Sequence, residues 1–144
     1  MNKKIIIVLT LICALFVLAS CETSLSLTFN VETGDSINVT LDTSNNDYSL
    51  KADDATFNIE KNGKLVAKGI FLTEDMLAQY FSAVKDEEGV ELIDSAENYI
   101  FYHINDEWDR ILKIENSDTG IALVNLVSED SAVECFDLLT ITAE

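Results

Sequence analysis

The stretch FNIEKNGKLVAKGIFL, residues 57–72, is the strongest local determinant of fold in this sequence. Its first part alternates apolar and polar residues, which is the period-two pattern of a half-buried strand. Asn62 and Gly63 follow, and this dipeptide supplies the two positive φ angles that a tight type I′ turn requires. Residues 65–72 return as an almost continuously apolar segment. The stretch therefore predicts a β-hairpin whose second strand is central and buried on both faces.

A helix and a meander are predicted after this hairpin. Residues 73–88 begin at Thr73, a good N-cap, and carry an apolar stripe at helical spacing that we expect to face the core. A short strand or an extended link follows at 90–93. Residues 99–127 hold three alternating segments separated by polar turns, which predicts a three-stranded meander. Residues 129–140 are predicted to form a final amphipathic helix that closes the core as a lid. The stripe of the first helix consists of Met76, Leu77, Tyr80, Phe81 and Val84.

A second hairpin is predicted before residues 57–72. Residues 25–31 and 37–41 alternate apolar with polar residues, and the composition of residues 42–54 predicts a polar connection. Hairpin connections imply an antiparallel sheet, and two amphipathic helices imply one covered face. The predicted fold class is α+β: an antiparallel sheet of hairpins and a meander, with both helices packed on one face.

The N-terminal segment has the features of an export signal. Lys3 and Lys4 precede a fourteen-residue apolar run, residues 5–18, which is broken only by Thr10. Secretory apolar regions span roughly 7–15 residues, whereas a membrane-spanning helix needs about 20. The run ends in LASC, residues 18–21, which resembles the lipobox of bacterial lipoprotein signal peptides.

This resemblance implies that the Cys21 thiol receives a diacylglyceryl group and that the chain is cut before it. Residues 1–20 are then the signal peptide, residues 21–24 the lipidated N-terminus with a short tether, and residues 25–144 a single domain. An uncleaved N-terminal anchor is the alternative. Both interpretations place the domain outside the cytoplasm, in the cell envelope and attached to the membrane.

The charge balance limits the kinds of partner that the domain can bind. The chain has 26 acidic and 9 basic residues, and residues 1–20 contain two of the basic ones and none of the acidic ones. Such an acidic domain repels nucleic-acid phosphates and anionic headgroups. We therefore expect no nucleic-acid partner. Membrane attachment is expected through the lipid on Cys21, and the protein partner is expected to be another envelope or membrane protein.

The three cysteines provide no disulfide for the domain. Cys13 lies in the apolar run and Cys21 is the lipid site, so only Cys135 remains in the folded part. Cys135 falls in the pattern of the last helix, where a buried packing role is favoured over a nucleophilic one.

The order of elements also resembles a known arrangement. A hairpin at the Asn62-Gly63 turn, a helix at 73–88, a meander at 99–127 and a last helix at 129–140 are similar to the Mog1/PsbP-type two-layer sandwich found in many small bacterial lipoproteins. The resemblance implies a binding or assembly accessory, and it assigns no functional residues.

Candidate site residues cluster in the meander. His103 is the only histidine, so any imidazole chemistry would depend on it, yet no serine or cysteine stands in a nucleophile motif. Tyr102, His103 and Trp108 form the predicted interaction surface, because aromatic residues anchor interfaces; a core role for them is the alternative.

Two classes of function follow from these residues. The favoured hypothesis is a noncatalytic, membrane-anchored binding or accessory module that uses no cofactor or metal. The alternative is a small hydrolase or a cation-binding protein that uses His103 and acidic residues.

Overall fold

The computed structural model describes residues 23–44 and 47–144. Within these ranges the chain forms ten strands and two helices. The strands are β1 (Ser24–Asn30), β2 (Ser36–Asp42), β3 (Tyr48–Asp53), β4 (Thr56–Lys61), β5 (Lys64–Leu72), β6 (Glu91–Ser95), β7 (Tyr99–Ile104), β8 (Glu107–Lys113), β9 (Gly120–Asn125) and β10 (Leu139–Ala143). The helices are α1 (Glu74–Ala83) and α2 (Glu129–Leu138).

The strands form two sheets. A small sheet has the order β1-β2-β10, and a large sheet has the order β3-β4-β5-β9-β8-β7-β6. Every pairing within the described ranges is antiparallel. The predicted α+β class, the antiparallel pairing and the β7–β9 meander are confirmed, whereas the single predicted sheet is wrong.

The central hairpin forms as its turn residues require. Asn62 and Gly63 have φ angles of 52° and 74° between β4 and β5. β5 pairs with β4 on one side and β9 on the other, which confirms the predicted central position of this apolar strand.

The structure contains two strands, β3 and β10, that the sequence pattern does not predict. The sequence predicts a polar connection at residues 42–54, but β3 pairs with β4 at the sheet edge, where Tyr48 and Leu50 alone point into the core. The last helix ends at Leu138 and the chain continues as β10, which pairs with β2. The predicted helix at 129–140 is therefore present but two residues shorter, and it is not the last element, because Leu139 and Ile141 join the small sheet.

The two sheets pack face to face. The inward side chains of β2 have no exposed surface and lie in one cluster with residues of β4, β5 and β9. Phe29 of β1, Phe57 of β4 and Phe71 of β5 join the sheets, with ring centroids 5.1–6.0 Å apart. Burial of each such large apolar side chain contributes about 1.5–3 kcal/mol. The fully buried β2 residues are Ile37, Val39 and Leu41.

The helices cover opposite faces of the large sheet. Leu123 of β9 belongs to the cluster that contains Cys135 of α2, whereas Ala122 belongs to the cluster that contains Leu77 of α1. Successive strand residues point to opposite faces. The prediction that both helices pack on one face is wrong. β9 is apolar on both faces, so its pattern could not assign either helix.

Each helix begins at a hydroxyl cap. The Thr73 hydroxyl accepts a hydrogen bond from the Met76 N–H at 3.4 Å, and the Ser128 hydroxyl accepts one from the Ser131 N–H at 3.1 Å. α1 ends at Ala83, five residues before the predicted end at residue 88. The caps satisfy N–H groups that the first helical turn leaves unpaired.

An arginine fixes α2 to the large sheet. The Arg110 guanidinium of β8 lies 3.8 Å from the ring centroid of Phe136 in α2 and 4.6 Å from that of Phe101 in β7. Burial lowers the pKa of Arg110. Cation–π attraction of this kind is stronger in a desolvated setting than at an exposed one, so Arg110 ties three elements together.

Gly69 of β5 has no room for a side chain, because a Cβ there would overlap the Phe57 ring. We expect Gly69→Ala to lower the free energy of unfolding by about 1–3 kcal/mol, the usual cost of overpacking. Adding Phe57→Leu should recover part of that loss by vacating the space. Denaturant unfolding of the two single variants and the double variant measures this coupling. Strictly additive effects would contradict the packing argument.

Candidate functional site

A groove lies between α1 and the end of strand β7. Its volume is about 320 Å³. Met76 and Tyr80 on the wall remain 41% and 40% exposed. An apolar concave site with a few polar groups is the usual form of a ligand-binding site. The lining residues are Met76, Gln79, Tyr80, Ala83, Val84, Glu87, Tyr102 and Ile104.

The groove exists because α1 covers only part of the sheet. The helix contacts β5, β8 and β9, and Leu77 lies so close to β9 that a Cβ at Gly120 would be 2.7 Å from its Cδ1. Met76 and Tyr80 are four residues apart and share a helix side, which faces the uncovered strand β7. The prediction that these two residues belong to the core is wrong, whereas Leu77 is buried as predicted.

Asp109 and Tyr102 form a buried pair behind the groove. They are directly opposite each other on β8 and β7, and their exposed fractions are only 8% and 5%. Burial, and then the charge of Glu107, raises the pKa of Asp109 to about 6, while the hydrogen bond from Tyr102 acts in the opposite direction. Burial, and then the Asp109 carboxylate, raises the pKa of Tyr102.

One oxygen of this carboxyl group has no partner. Asp109 Oδ1 is buried and accepts no hydrogen bond from the described residues. Leaving a buried polar atom unsatisfied costs about 1–3 kcal/mol, and more for a charged group. Such unsatisfied carboxyl groups with displaced pKa values concentrate at functional sites. Because Tyr102 lines the groove and contacts Asp109, the buried carboxyl group lies one side chain behind the groove surface.

The structure separates the residues of the predicted interaction surface. His103 and Trp108 stack on each other with ring centroids 4.7 Å apart, on the face of the sheet that Arg110 and α2 occupy. Tyr102 points to the opposite face, toward α1, because it neighbours His103 along the strand. The role of all three in binding a partner stays a prediction, and they do not form one surface.

The two ring nitrogens of His103 have different surroundings. Its Nδ1 lies 3.7 Å from a carboxylate oxygen of Glu91, which is itself 79% exposed. Its Nε2 is buried and has no hydrogen-bond partner among the described residues. The hydrolase alternative needs a hydroxyl or thiol in contact with this ring, and that alternative stays a prediction. No group of three or more potential metal-ligating side chains occurs in residues 23–44 and 47–144.

Cys135 is packed inside the fold, as predicted. The thiol is buried, and the Asn125 side-chain amide lies 3.9 Å from its sulfur. Burial raises the pKa of Cys135, while hydrogen bonds with Tyr48 and Ser131 act in the opposite direction. A high pKa keeps the sulfur as a thiol, which is the unreactive form.

The burial of Asp109 does not follow from the sequence pattern. In EWDRILK, Asp109 shares its face with Ile111, which is 1% exposed, and with Lys113, which is exposed. The alternation groups Asp109 with the charged residues Lys113 and Glu115, so only the packing of Tyr102 and Ile111 on the α1 face shows that its carboxyl group is buried.

Comparison with known proteins assigns no function to this chain. No protein-family model, curated protein or solved structure matches this chain. In the part of the chain that the structure describes, no helix has the length and apolar content to span a membrane. Cys21 and the rest of the predicted signal lie outside the described residues.

The raised pKa of Asp109 makes a pH-dependent contribution to stability. A carboxyl group whose pKa is higher in the folded than in the unfolded protein favours folding when protonated, and this contribution is lost as the pH rises from about 4 to 7. A tenfold difference between the two acid dissociation constants corresponds to about 1.4 kcal/mol. We expect the free energy of unfolding of the wild type, relative to Asp109→Asn, to fall by up to about 3 kcal/mol across that range.

Carboxyl groups with lowered pKa values, such as Asp35 and Glu134, contribute to stability with the opposite pH dependence. Both proteins contain these groups, so their contributions cancel when the free energy of unfolding of Asp109→Asn is subtracted from that of the wild type. Denaturant unfolding of both proteins at pH 4, 5, 6 and 7 measures this difference. A difference that is independent of pH would contradict the burial of an ionisable Asp109.

Proposed function

We propose that this protein is a membrane-anchored extracytoplasmic lipoprotein that acts as a noncatalytic binding or accessory module close to the membrane surface. The sequence of residues 5–21 supports the export and the lipid on Cys21. The start of β1 at Ser24 supports closeness to the membrane, because only residues 22–23 separate the anchor from the sheet. A flexible spacer between anchor and domain would be longer and richer in glycine and serine.

The groove between α1 and β7 is the binding site in this proposal. The observation that carries it is the exposure of Met76 and Tyr80 beside Tyr102 and Ile104 of β7 in the same groove. Methionine adapts to varied apolar partners, and tyrosine offers an apolar body with a polar tip. These side chains suit an apolar partner segment.

Charge selects the segment that enters the groove. Glu87 lines it, Glu74 and Asp75 lie in the first turn of α1, and the whole chain has a formal net charge of −17. Opposite charge steers association and discriminates among partners. We therefore propose that the occupant is a segment of an envelope or membrane protein that carries an apolar side chain beside lysine or arginine.

The finer fold assignment belongs to the same proposal. The order β4–β5, α1, β7–β9, α2 supports a Mog1/PsbP-like domain, a group whose members serve mainly as binding or assembly accessories. The opposite placement of the two helices and the separate small sheet differ from the two-layer arrangement that the resemblance implied.

Lipidation can be tested at the cysteine itself. We expect Cys21→Ser to abolish incorporation of radiolabelled palmitate and to leave the signal peptide attached, because acylation precedes cleavage in the lipoproteins that this segment resembles. Cys135→Ser is the matched control and should keep both labelling and cleavage. Gel mobility and N-terminal mass measure the outcome. Label that persists in Cys21→Ser would rule out the proposed anchor.

The groove can be tested by site-specific photocrosslinking in cells. A photoreactive amino acid at position 80 should capture a partner peptide that contains an apolar residue beside lysine or arginine. The same probe at Ser82, which is exposed on α1 and does not line the groove, is the control. Met76→Gln should lower the yield at position 80 about ten-fold, since loss of an apolar interface anchor costs about 1.4 kcal/mol or more.

A thermal unfolding midpoint of Met76→Gln that matches the wild type would show that folding is intact. Equal capture from positions 80 and 82, or capture of an acidic peptide, would refute the groove as the basic-segment site.

A further inference from the structure

The small sheet and the central hairpin meet at the end of the sandwich where the described chain begins. The Thr43 N–H donates a hydrogen bond to the Thr23 carbonyl at 2.8 Å, which fixes the start of the chain to the end of β2. The Asn62 N–H donates to the Asp47 carbonyl at 2.9 Å, which places the β4–β5 turn beside the β2–β3 connection. We call this part of the molecule the N-terminal end.

The N-terminal end exposes large aliphatic side chains. Leu65, Leu126 and Val127 are 44%, 45% and 52% exposed. The Leu126 N–H donates to the Val66 carbonyl at 3.0 Å, so β5 and the segment after β9 continue side by side here. Clustered aliphatic residues on the surface of a soluble domain indicate a contact site.

Lysines accompany these aliphatic residues. Lys61 and Lys64 flank the Asn62-Gly63 turn, and they are two of only seven basic residues after residue 20. Lys61 pairs with Glu134 at 3.2 Å, whereas Lys64 forms no ion pair with any carboxylate of the described ranges. Lys64 is therefore a positive charge beside the aliphatic residues, and the exposed carboxylates of Asp47, Glu129 and Asp130 lie at the same end.

We propose that the N-terminal end contacts the surface of the lipid bilayer and orients the domain on it. This inference rests on the proposed lipid at Cys21. Cys21 is two residues before Thr23, a reach of at most about 7 Å, so the anchor holds this end at the headgroup layer. There the aliphatic side chains enter the boundary between headgroups and acyl chains, and the Lys64 ammonium lies beside the headgroup phosphates.

The opposite end of the sandwich supplies a control surface. β8 runs from the N-terminal end, where Trp108 pairs with Asn125, to the other end, where Lys113 pairs with Gly120. Asp118 and Lys113 line a shallow polar depression at that other end. If the N-terminal end lies on the bilayer, these residues point away from it.

Fluorescence quenching on vesicles tests the orientation. Full-length lipidated protein is reconstituted into vesicles of neutral or mixed neutral and anionic phospholipid, with a fluorophore on Val127→Cys or Asp118→Cys. Cys135 is buried and Cys21 is acylated, so neither competes for the label. We expect a quencher attached to lipid headgroups to quench the probe at position 127 at least about three-fold more than the probe at 118.

Charge variants distinguish contact of the N-terminal end with the bilayer from attachment through the lipid on Cys21 alone. On anionic vesicles, Lys64→Gln should lower the ratio of docked to undocked domain about five-fold, since one lysine near such a surface contributes that factor. Lys113→Gln is the matched control and should leave the ratio unchanged. Leu126→Gln should lower docking on neutral and anionic vesicles alike.

Vesicle flotation distinguishes failure of the proposed orientation from failure of the proposed lipid anchor. Protein that floats with the vesicles but is quenched equally at positions 127 and 118 would overturn the orientation and leave the lipid anchor intact. Protein that does not float would overturn the anchor, and the orientation with it. Docking that needs an added membrane protein would show that the N-terminal end is a protein contact, which also overturns the proposal.

Discussion

The sandwich depends on the contact between the Phe57 ring and the backbone of Gly69. The ring of β4 occupies the place that a side chain on β5 would take, and it joins Phe29 and Phe71 in the cluster between the sheets. This packing allows the small sheet to cover the large one. The strand β5 is then enclosed on one face by the small sheet, and its other face is free for α1.

This enclosure also explains the position of the groove. Leu77 fixes α1 over the middle of the large sheet, because it packs against Gly120, which has no side chain. A helix of ten residues cannot cover the middle strands and the edge strands together. The side of α1 toward β7 is therefore not covered by any element of residues 23–44 and 47–144, and Met76 and Tyr80 stay partly exposed beside Tyr102.

Asp109 is a buried carboxyl group behind the proposed binding groove. Apolar burial around Ile100 and Ile111 offsets the cost of a carboxyl group with one unsatisfied oxygen, but it does not remove that cost. The two candidate surfaces lie on different parts of the domain. The groove is on the α1 face of the large sheet, at the end of β7, and the aliphatic residues with Lys64 lie beside the start of β5 and the end of β9.

Local features of the sequence determined much of this protein by themselves. The Asn62-Gly63 turn, the caps at Thr73 and Ser128, the alternating strands of the meander and the burial of Cys135 follow from residue chemistry and short-range periodicity. The tertiary structure alone decided the division into two sheets, the opposite faces covered by α1 and α2, and the separation of Tyr102 from His103. These features depend on which strands pair and which apolar face each helix covers. β5 and β9 are apolar on both faces, so their sequence patterns are equally compatible with a helix or a sheet on either side.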